Sequence, residues 1–499
     1  MNTSVRVRFA PSPTGYLHVG GLRMALFDFF IARHYGGQCI FRLEDTDKKR
    51  QIAGAAEKLY EVFAALDLHF DEGPGLGGNF GPYVQSERQV IYDQYIKELL
   101  AKNEAYYCFC SAEKLTSLRE EQNANKLPPR YNRACRDLSH EEVEAKIATG
   151  ETYTIRQKMP LSGEVVVHDE IHGDISFKAE NLEDHVLIKS DGMPTYQFAN
   201  VVDDHLMEIT HIVRGDEWIS SFPKNILLYQ AFGWSAPKYI HAPLILNKEG
   251  GKLSKRQGDV SVEDFLAKGY LKETMINFCG LLGWHPKGEE EILTFEQICE
   301  QFKIEDIGTS PAIFDLEKLD YLNGYYLRQL DHEQLLKLVV PYLVEAKLIE
   351  VVGQGYINNQ TGEALLPSKL KLYVALAQDR MKKLSDIGEL TEFLFIKPHY
   401  DLELLKWKQF SYEDIKTNLK DIYQVLENIP AAEWTKHSTS DACLGHIKNL
   451  GKTNGEYLWP LRVALTGHKA SPGPFEVAEA LDKDQTLVRL RFAIEKLGK

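Results

Sequence analysis

Val5-Arg6-Val7-Arg8-Phe9 alternates apolar and polar side chains, the period-two pattern of a half-buried strand. From Leu22 to Ala32 the apolar positions Leu22, Ala25, Leu26, Phe29 and Phe30 recur at helical spacing, and Gly36-Gly37 stops the helix. Cys39-Ile40-Phe41-Arg42-Leu43 then reads as a second strand, so the chain opens with a strand–helix–strand unit. Helices are predicted over 53–66 and 92–100, on either side of a glycine-rich surface loop, "DEGPGLGGNFGPYVQSER" (71–88). The texture changes near Tyr106. There "YYCFC", "KLPPRYNRAC", "TYTIRQKM" and "GEVVVHDEIHGDISF" predict an inserted α+β domain of roughly a hundred residues. A helix over 221–231 and the strand "KYIHAPLIL" (238–246) return to the first sheet and complete it. Beyond Val262 helical periodicity dominates, as in "DHEQLLKLVVPYLVEAKLIE" (331–350), with a boundary at "LDYLNGYYLR" (319–328), whose aromatic residues are expected in the core.

The expected fold class is therefore α/β: a Rossmann-like parallel-sheet catalytic domain split by an α+β insertion, followed by an all-α C-terminal region. Composition changes this picture little. A chain of 499 residues is too long for one core and implies three or more domains. No stretch approaches the roughly 20 apolar residues that span a bilayer, so no membrane partner is expected. Seven scattered cysteines, an odd number, argue against a disulfide framework and for a reducing, cytoplasmic compartment. The net charge of −14 argues weakly against nonspecific nucleic-acid binding but permits local basic patches.

The chemistry concentrates in two loops. "APSPTGYLHVGGLR" (10–23) joins the first strand to the first helix, where free backbone N–H groups and the helix dipole favour a phosphate. Its spacing is neither GxGxxG nor the GK[ST] phosphate loop. His18, just ahead of Gly20-Gly21, could donate to a phosphate oxygen; the plainer alternative is a proline-rich turn with a structural histidine. "NKEGGKLSKRQGDVS" (247–261) follows the last predicted strand, and Lys252, Lys255 and Arg256 could bring positive charge over a triphosphate. Alone, such a loop is more often a solvated surface. In this order, the two loops would face each other at the carboxyl ends of the sheet.

Together "PSPTGYLHVGGLR" and "KLSKR" resemble the two signature motifs of class I aminoacyl-tRNA synthetases. "RFAPSPTG", "RLEDTD", "PTYQFANVVDDH", "RGDEW", "GGKLSKR" and the tail "PLRVALTGHKASPGPFEVAEAL" (460–481) resemble the bacterial glutamyl-tRNA synthetase family over nearly the whole chain. The resemblance implies a catalytic domain at 1–105 and 196–250 and an acceptor-stem-binding insertion at 106–195. It also implies a stem-contact region with the KLSKR loop at 251–323 and a helical anticodon-binding region at 324–499. Its partners are tRNA(Glu), glutamate and ATP with Mg²⁺, and a monomer is expected.

Glutamate brings two carboxylates and an ammonium. Arg8 and Arg214 suit the carboxylates, Glu44 the ammonium, and Tyr196 and Asn200 neutral hydrogen bonds, with Ala10 and Ser12 adding backbone or hydroxyl contacts. These positions match the family's glutamate-binding residues. By resemblance the ATP set is Pro11, Ser12, Gly15, His18, Gly20, Glu217, Trp218, Lys252, Leu253, Ser254, Lys255 and Arg256, with His18 and Lys255 catalytic. Arg214 opposes the glutaminyl rival, because a neutral amide would leave a buried cation unpaired. A truncated relative that modifies a tRNA base, a dead tRNA-binding copy and a small nucleotidyltransferase fit less well. The first and last need no helical tail, and the dead copy need not keep His18, Glu44 and Lys255.

Cys108, Cys110 and Cys135 resemble the zinc site that some family members carry in the insertion, where the fourth ligand is a histidine. Here that position is Asp137, with His140 nearby, so zinc and three reduced cysteines in a lost site both stay open.

Overall fold

The computed structural model describes residues 4–13, 15–47, 52, 54–251, 253 and 261–498. The chain divides into two compact units, one of residues 1–266 and 272–316, the other of residues 267–271 and 317–499.

In chain order the first unit contains β1 (Arg6–Phe9), α1 (Val19–His34), β2 (Gln38–Phe41), α2 (Ala55–Ala65), α3 (Gln89–Ala101) and β3 (Ala105–Cys108). There follow α4 (Ala112–Ala124), α5 (His140–Ala148), β4 (Thr154–Gln157), β5 (Glu164–Asp169), β6 (Gly173–Lys178) and β7 (Val186–Ile188). Then come α6 (Tyr196–Leu206), β8 (His211–Gly215), α7 (Phe222–Phe232), β9 (Lys238–Ala242) and β10 (Ile245–Leu246). β1 and β2 pair in parallel, Arg6 opposite Gln38 and Phe9 opposite Phe41. β8 and β9 are likewise parallel. Thr210, just ahead of β8, joins the two pairs: its N–H donates to the Arg6 carbonyl at 2.9 Å, and its hydroxyl accepts from the Arg6 N–H at 2.8 Å.

α1 is two to three residues longer at each end than its apolar spacing predicts. It buries Leu22, Leu26, Phe27, Phe29, Phe30 and Ile31 almost completely, at about 1.5–3 kcal/mol for each large side chain. Behind it the chain turns so tightly that a Cβ on Gly37 would lie 2.1 Å from the Val5 carbonyl oxygen, which restricts that position to glycine.

The insertion is less separate than its texture suggests. β3, β4 and β7 form their own antiparallel sheet, but the β5–β6 hairpin joins the β8–β9 sheet, with β5 parallel to β9 through Asp169 and Tyr239. The 71–88 loop is also partly interior, since Glu72, Tyr83, Gln85 and Arg88 are buried.

The second unit is mainly helical around a core that includes Leu335, Val339, Leu343, Leu419, Ile422, Leu461 and Leu490. The expectation of an all-α end needs one amendment. The helix begun at His332, with Asp331 as its N-cap, stops at Glu345. Ile349–Val352, Gly355–Asn358 and Ala364–Leu365 then form a three-stranded antiparallel sheet. The β-branched run Ile349, Val351, Val352 followed by a glycine turn favours extended backbone over a continued helix. "LDYLNGYYLR" lies inside one helix, Leu316–Gln329. Its core side chains are Leu319, Leu322 and Leu327, whereas Tyr321 is 60% exposed, so the expectation of core aromatics does not hold there.

Candidate active site

The first signature loop leaves β1 and enters α1 through His18, the N-cap of the helix. His18 Nδ1 accepts from the Gly20 N–H at 3.0 Å, so the neutral ring carries its proton on Nε2. Gly15 has φ +144°, a conformation open to glycine and costly for other residues. The Pro11 carbonyl accepts from the Glu44 N–H at 3.0 Å, which ties the loop to the end of β2. Ala10 and Pro11 are half-buried and Ser12 is exposed. The Leu17 carbonyl accepts from Val262 N–H at 2.9 Å, and His18 bridges Ser261 in antiparallel fashion. The segment that follows "KLSKR" is thus stitched to the first loop. Leu253 is half-buried, while Lys252, Ser254, Lys255 and Arg256 lie outside the described residues.

Beside this loop sits a buried chain of alternating charges. Asp204 Oδ1 accepts from Arg8 Nε at 3.0 Å and from Arg42 Nη1 at 2.7 Å. Arg42 Nη2 donates to Glu44 Oε1 at 3.0 Å, and Asn200 Nδ2 donates to the same oxygen at 3.0 Å. Asp203, one residue earlier on α6, accepts from Arg88 Nε at 2.6 Å, Gln85 Nε2 at 3.0 Å and the Tyr92 hydroxyl at 2.8 Å. Arg42, Asp203 and Asp204 are fully buried. Burial alone would make Arg8 less basic, but Asp204 together with Tyr196 and Asp28 outweighs it and holds the guanidinium charged. Burial raises the Glu44 carboxyl above its ordinary value, against the pull of Arg42 and Arg8. Four predicted pocket residues, Arg8, Glu44, Asn200 and, half-buried at the start of α6, Tyr196, therefore converge. The Tyr196 ring lies 4.8 Å from that of Trp218. Trp218 so borders this pocket, and Glu217 beside it is exposed.

Arg214 on β8 is held differently. Its Nε donates to His241 Nε2 at 2.9 Å, and its Nη1 lies 3.4 Å from Asn225 Oδ1. Its Nη2 is buried and has no hydrogen-bond partner. The guanidinium lies over the Tyr239 ring, 4.9 Å from the centroid. Such a group can receive one oxygen of an incoming anion without breaking an existing ion pair.

In the insertion, Cys108, Cys110 and Cys135 place their sulfurs within 4.8 Å of one another, with Cys110 and Cys135 at 3.6 Å. Asp137 is exposed and outside this group, which corrects the expected ligand set. His140 is exposed too and faces Glu144 at 3.3 Å. The Tyr131 hydroxyl occupies the fourth side, 3.2 Å from Cys108 Sγ and 3.8 Å from Cys110 Sγ. Cys39, Cys279, Cys299 and Cys443 are buried free thiols.

Arg42, Asp169, Asp203, Asp204 and His241 are the site residues that sequence reasoning missed. One signal was available: Asp203-Asp204 closes a helix whose preceding residues Phe198, Ala199, Val201 and Val202 are all apolar, and a carboxylate pair there needs buried partners.

Residues 4–321 match the family described as tRNA synthetases class I (E and Q), catalytic domain, and residues 334–494 match an anticodon binding domain. The chain belongs to the class I tRNA synthetases of the E and Q type. It is 46% identical over 501 residues to a glutamate–tRNA ligase of Clostridium botulinum (strain Hall), covering 100% of this chain and 99% of that one. The corresponding ligase of Clostridium novyi is 46% identical over 499 residues, 99% of this chain and 98% of its own. A crystal structure of a glutamate tRNA ligase from Elizabethkingia meningosepticum in complex with its amino acid superposes with a TM-score of 0.89 at 34% identity, covering 99% of this chain and 100% of that one. Within the family, the chain falls with the glutamate–tRNA ligases.

Proposed function

We propose that this chain activates glutamate at the carboxyl ends of the β1–β8–β9 sheet and transfers it to tRNA(Glu). The α-carboxylate of glutamate attacks the α-phosphorus of ATP, pyrophosphate leaves, and the terminal ribose hydroxyl of the tRNA then takes the glutamyl group and releases AMP. No side-chain nucleophile is needed; orientation and charge stabilisation lower the barrier. Mg²⁺ accompanies the ATP phosphates. His18 at the start of α1 would face those phosphates, and Lys255 of the KLSKR motif is assigned to them by the family resemblance. Pro11, Ser12, Gly15 and Gly20 would form the cradle, and Glu217 and Trp218 would border the nucleotide.

Arg214 carries this reading, with its buried, unpartnered Nη2. It would receive the side-chain carboxylate of glutamate, while Arg8, Glu44, Tyr196 and Asn200 hold the amino-acid end. Arg214→Gln is expected to lower kcat/KM for glutamate at least about 100-fold, the loss of a buried charge-assisted contact. Steady-state charging checks this, and unchanged glutamate use would remove the basis for the pocket.

The division of labour along the chain follows the same reading: 106–195 for the acceptor stem, 251–323 for stem contact and 324–499 for the anticodon. A monomer in the cytoplasm is part of it, and seven unpaired thiols fit a reducing compartment. Among the described residues no helix is long and apolar enough to cross a membrane. We also propose a structural zinc held by Cys108, Cys110 and Cys135. Tetrahedral Zn–S bonds of about 2.3 Å set sulfurs just under 4 Å apart, which the 3.6 Å separation of Cys110 and Cys135 resembles. Tyr131 supplies the fourth side in place of Asp137. Zinc there would pin the start of the insertion to the 131–135 turn.

A further inference from the structure

We infer that the buried pair Asp169–His241 is the positioning device for Arg214, holding the guanidinium with a neutral acceptor so that its charge stays available to the substrate. The inference rests on Arg214 as the partner of the glutamate side chain.

Asp169 closes β5 and is fully buried. Its Oδ1 accepts the backbone N–H groups of Ile171 and His172, both at 2.9 Å. Its Oδ2 accepts the backbone N–H of His241 at 3.1 Å and the ring Nδ1 at 2.6 Å. Four donors converge on one carboxylate, which therefore stays ionised and fixes the imidazole as the Nδ1–H tautomer. Nε2 is left with a lone pair, and Arg214 Nε donates to it. Phe222 and Tyr239 flank the ring with centroids at 4.9 and 6.2 Å and prevent it from turning away.

The choice of a histidine rather than a carboxylate has a consequence. Arg8 and Arg42 are both neutralised by Asp204, and Arg42 also by Glu44. Arg214 has no carboxylate within ion-pair distance among the described residues. An imidazole acceptor orients the guanidinium and cancels none of its charge. A carboxylate in the same place would compete with the substrate's own and would make a neutral amide side chain as acceptable as an anionic one. Asp169 and His241 lie 72 residues apart, one on the insertion's hairpin and the other on β9, so the device forms only because that hairpin joins the catalytic sheet.

The test is steady-state charging of tRNA(Glu) by the full chain and four variants. His241→Phe removes the acceptor and is expected to raise the KM for glutamate about 10-fold or more, the cost of one hydrogen bond to a charged group. Its kcat and KM for ATP should change far less. Asp169→Asn should move the glutamate KM in the same direction, because the ring loses its tautomer. His241→Gln sets an amide oxygen near the position of Nε2 and should restore most of the loss; it also keeps the test alive should the Phe variant fold poorly. A His241→Phe KM equal to wild type, or Phe and Gln variants equally impaired in KM, would overturn the inference. Arg214→Gln separates the two layers: if it leaves the glutamate KM unchanged, the pocket assignment has failed; if it raises the KM while both His241 variants do not, only the positioning role has failed.

Discussion

Asp204 shows how much of the pocket depends on single atoms, since its Oδ1 joins Arg8 on β1 to Arg42 at the end of β2. Both guanidinium groups are buried, and removing one partner from such a network strands the others, at about 3–5 kcal/mol. Asp204→Asn is therefore expected to lose at least about 3 kcal/mol in denaturant unfolding, with a higher KM for glutamate. A loss below about 1 kcal/mol would show that the arginines find other partners. At this scale the sequence was half legible. Arg8, Glu44, Asn200 and Arg214 were visible through quoted motifs, because carboxylate and ammonium recognition limits the residue types that can serve. Arg42 and His241 were not, because a polar residue inside a predicted strand reads equally well as a solvated edge. Only the tertiary fold brings Arg42 to Asp204, 162 positions away.

Among the elements, α1 and its flanking strands were the most legible, because 3.6-residue and two-residue periods coexist there without ambiguity. The β5–β6 hairpin was harder. Its alternating pattern predicts a strand pair but says nothing about which sheet it joins, and it joins the catalytic one through Asp169 and Tyr239. The strand at Ile349–Val352 was absorbed into a helical reading because it follows a long amphipathic helix with no intervening proline. The element that carries the cysteines makes a direct prediction. Protein purified without chelator should contain about one zinc per chain, and Cys110→Ser should reduce that content. Metal analysis showing no zinc, with the thiols reduced, would assign the cluster to a lost site.

For the whole molecule, acid stability is governed in part by buried histidines. His185 has both ring nitrogens buried without partners, and burial lowers its pKa to about 3, with Lys224 and Arg156 adding to the effect. His211 is lowered to about 4 by burial and Lys238. The unfolded chain binds these protons near pH 6.5 and the native chain resists them, so the contribution is intact above pH 6.5 and declines as pH falls toward 3. The slope is about 1.4 kcal/mol per pH unit for one such group. His185→Leu should therefore gain on wild type by about 2 kcal/mol between pH 6.5 and pH 5 in denaturant unfolding. A difference that stays constant with pH would show that His185 reaches solvent. The fold class was legible at this scale because the signature loops, the insertion and the helical tail each leave their own texture. The division at residues 316 and 317 falls at the head of a continuous helix, and the boundary read at 319–328 lies inside that same helix.

Charging of purified tRNA(Glu) and tRNA(Gln) with labelled glutamate and, separately, glutamine tests in one measurement whether the charged pocket serves a glutamyl-transfer reaction. Glutamate is expected on tRNA(Glu), with no transfer of glutamine to either tRNA, because a neutral amide leaves the Arg214 guanidinium buried and unpaired. Glutamate on tRNA(Gln) as well would keep the chemistry and assign the laxity to the anticodon end. Transfer of glutamine, or of neither amino acid, would contradict it.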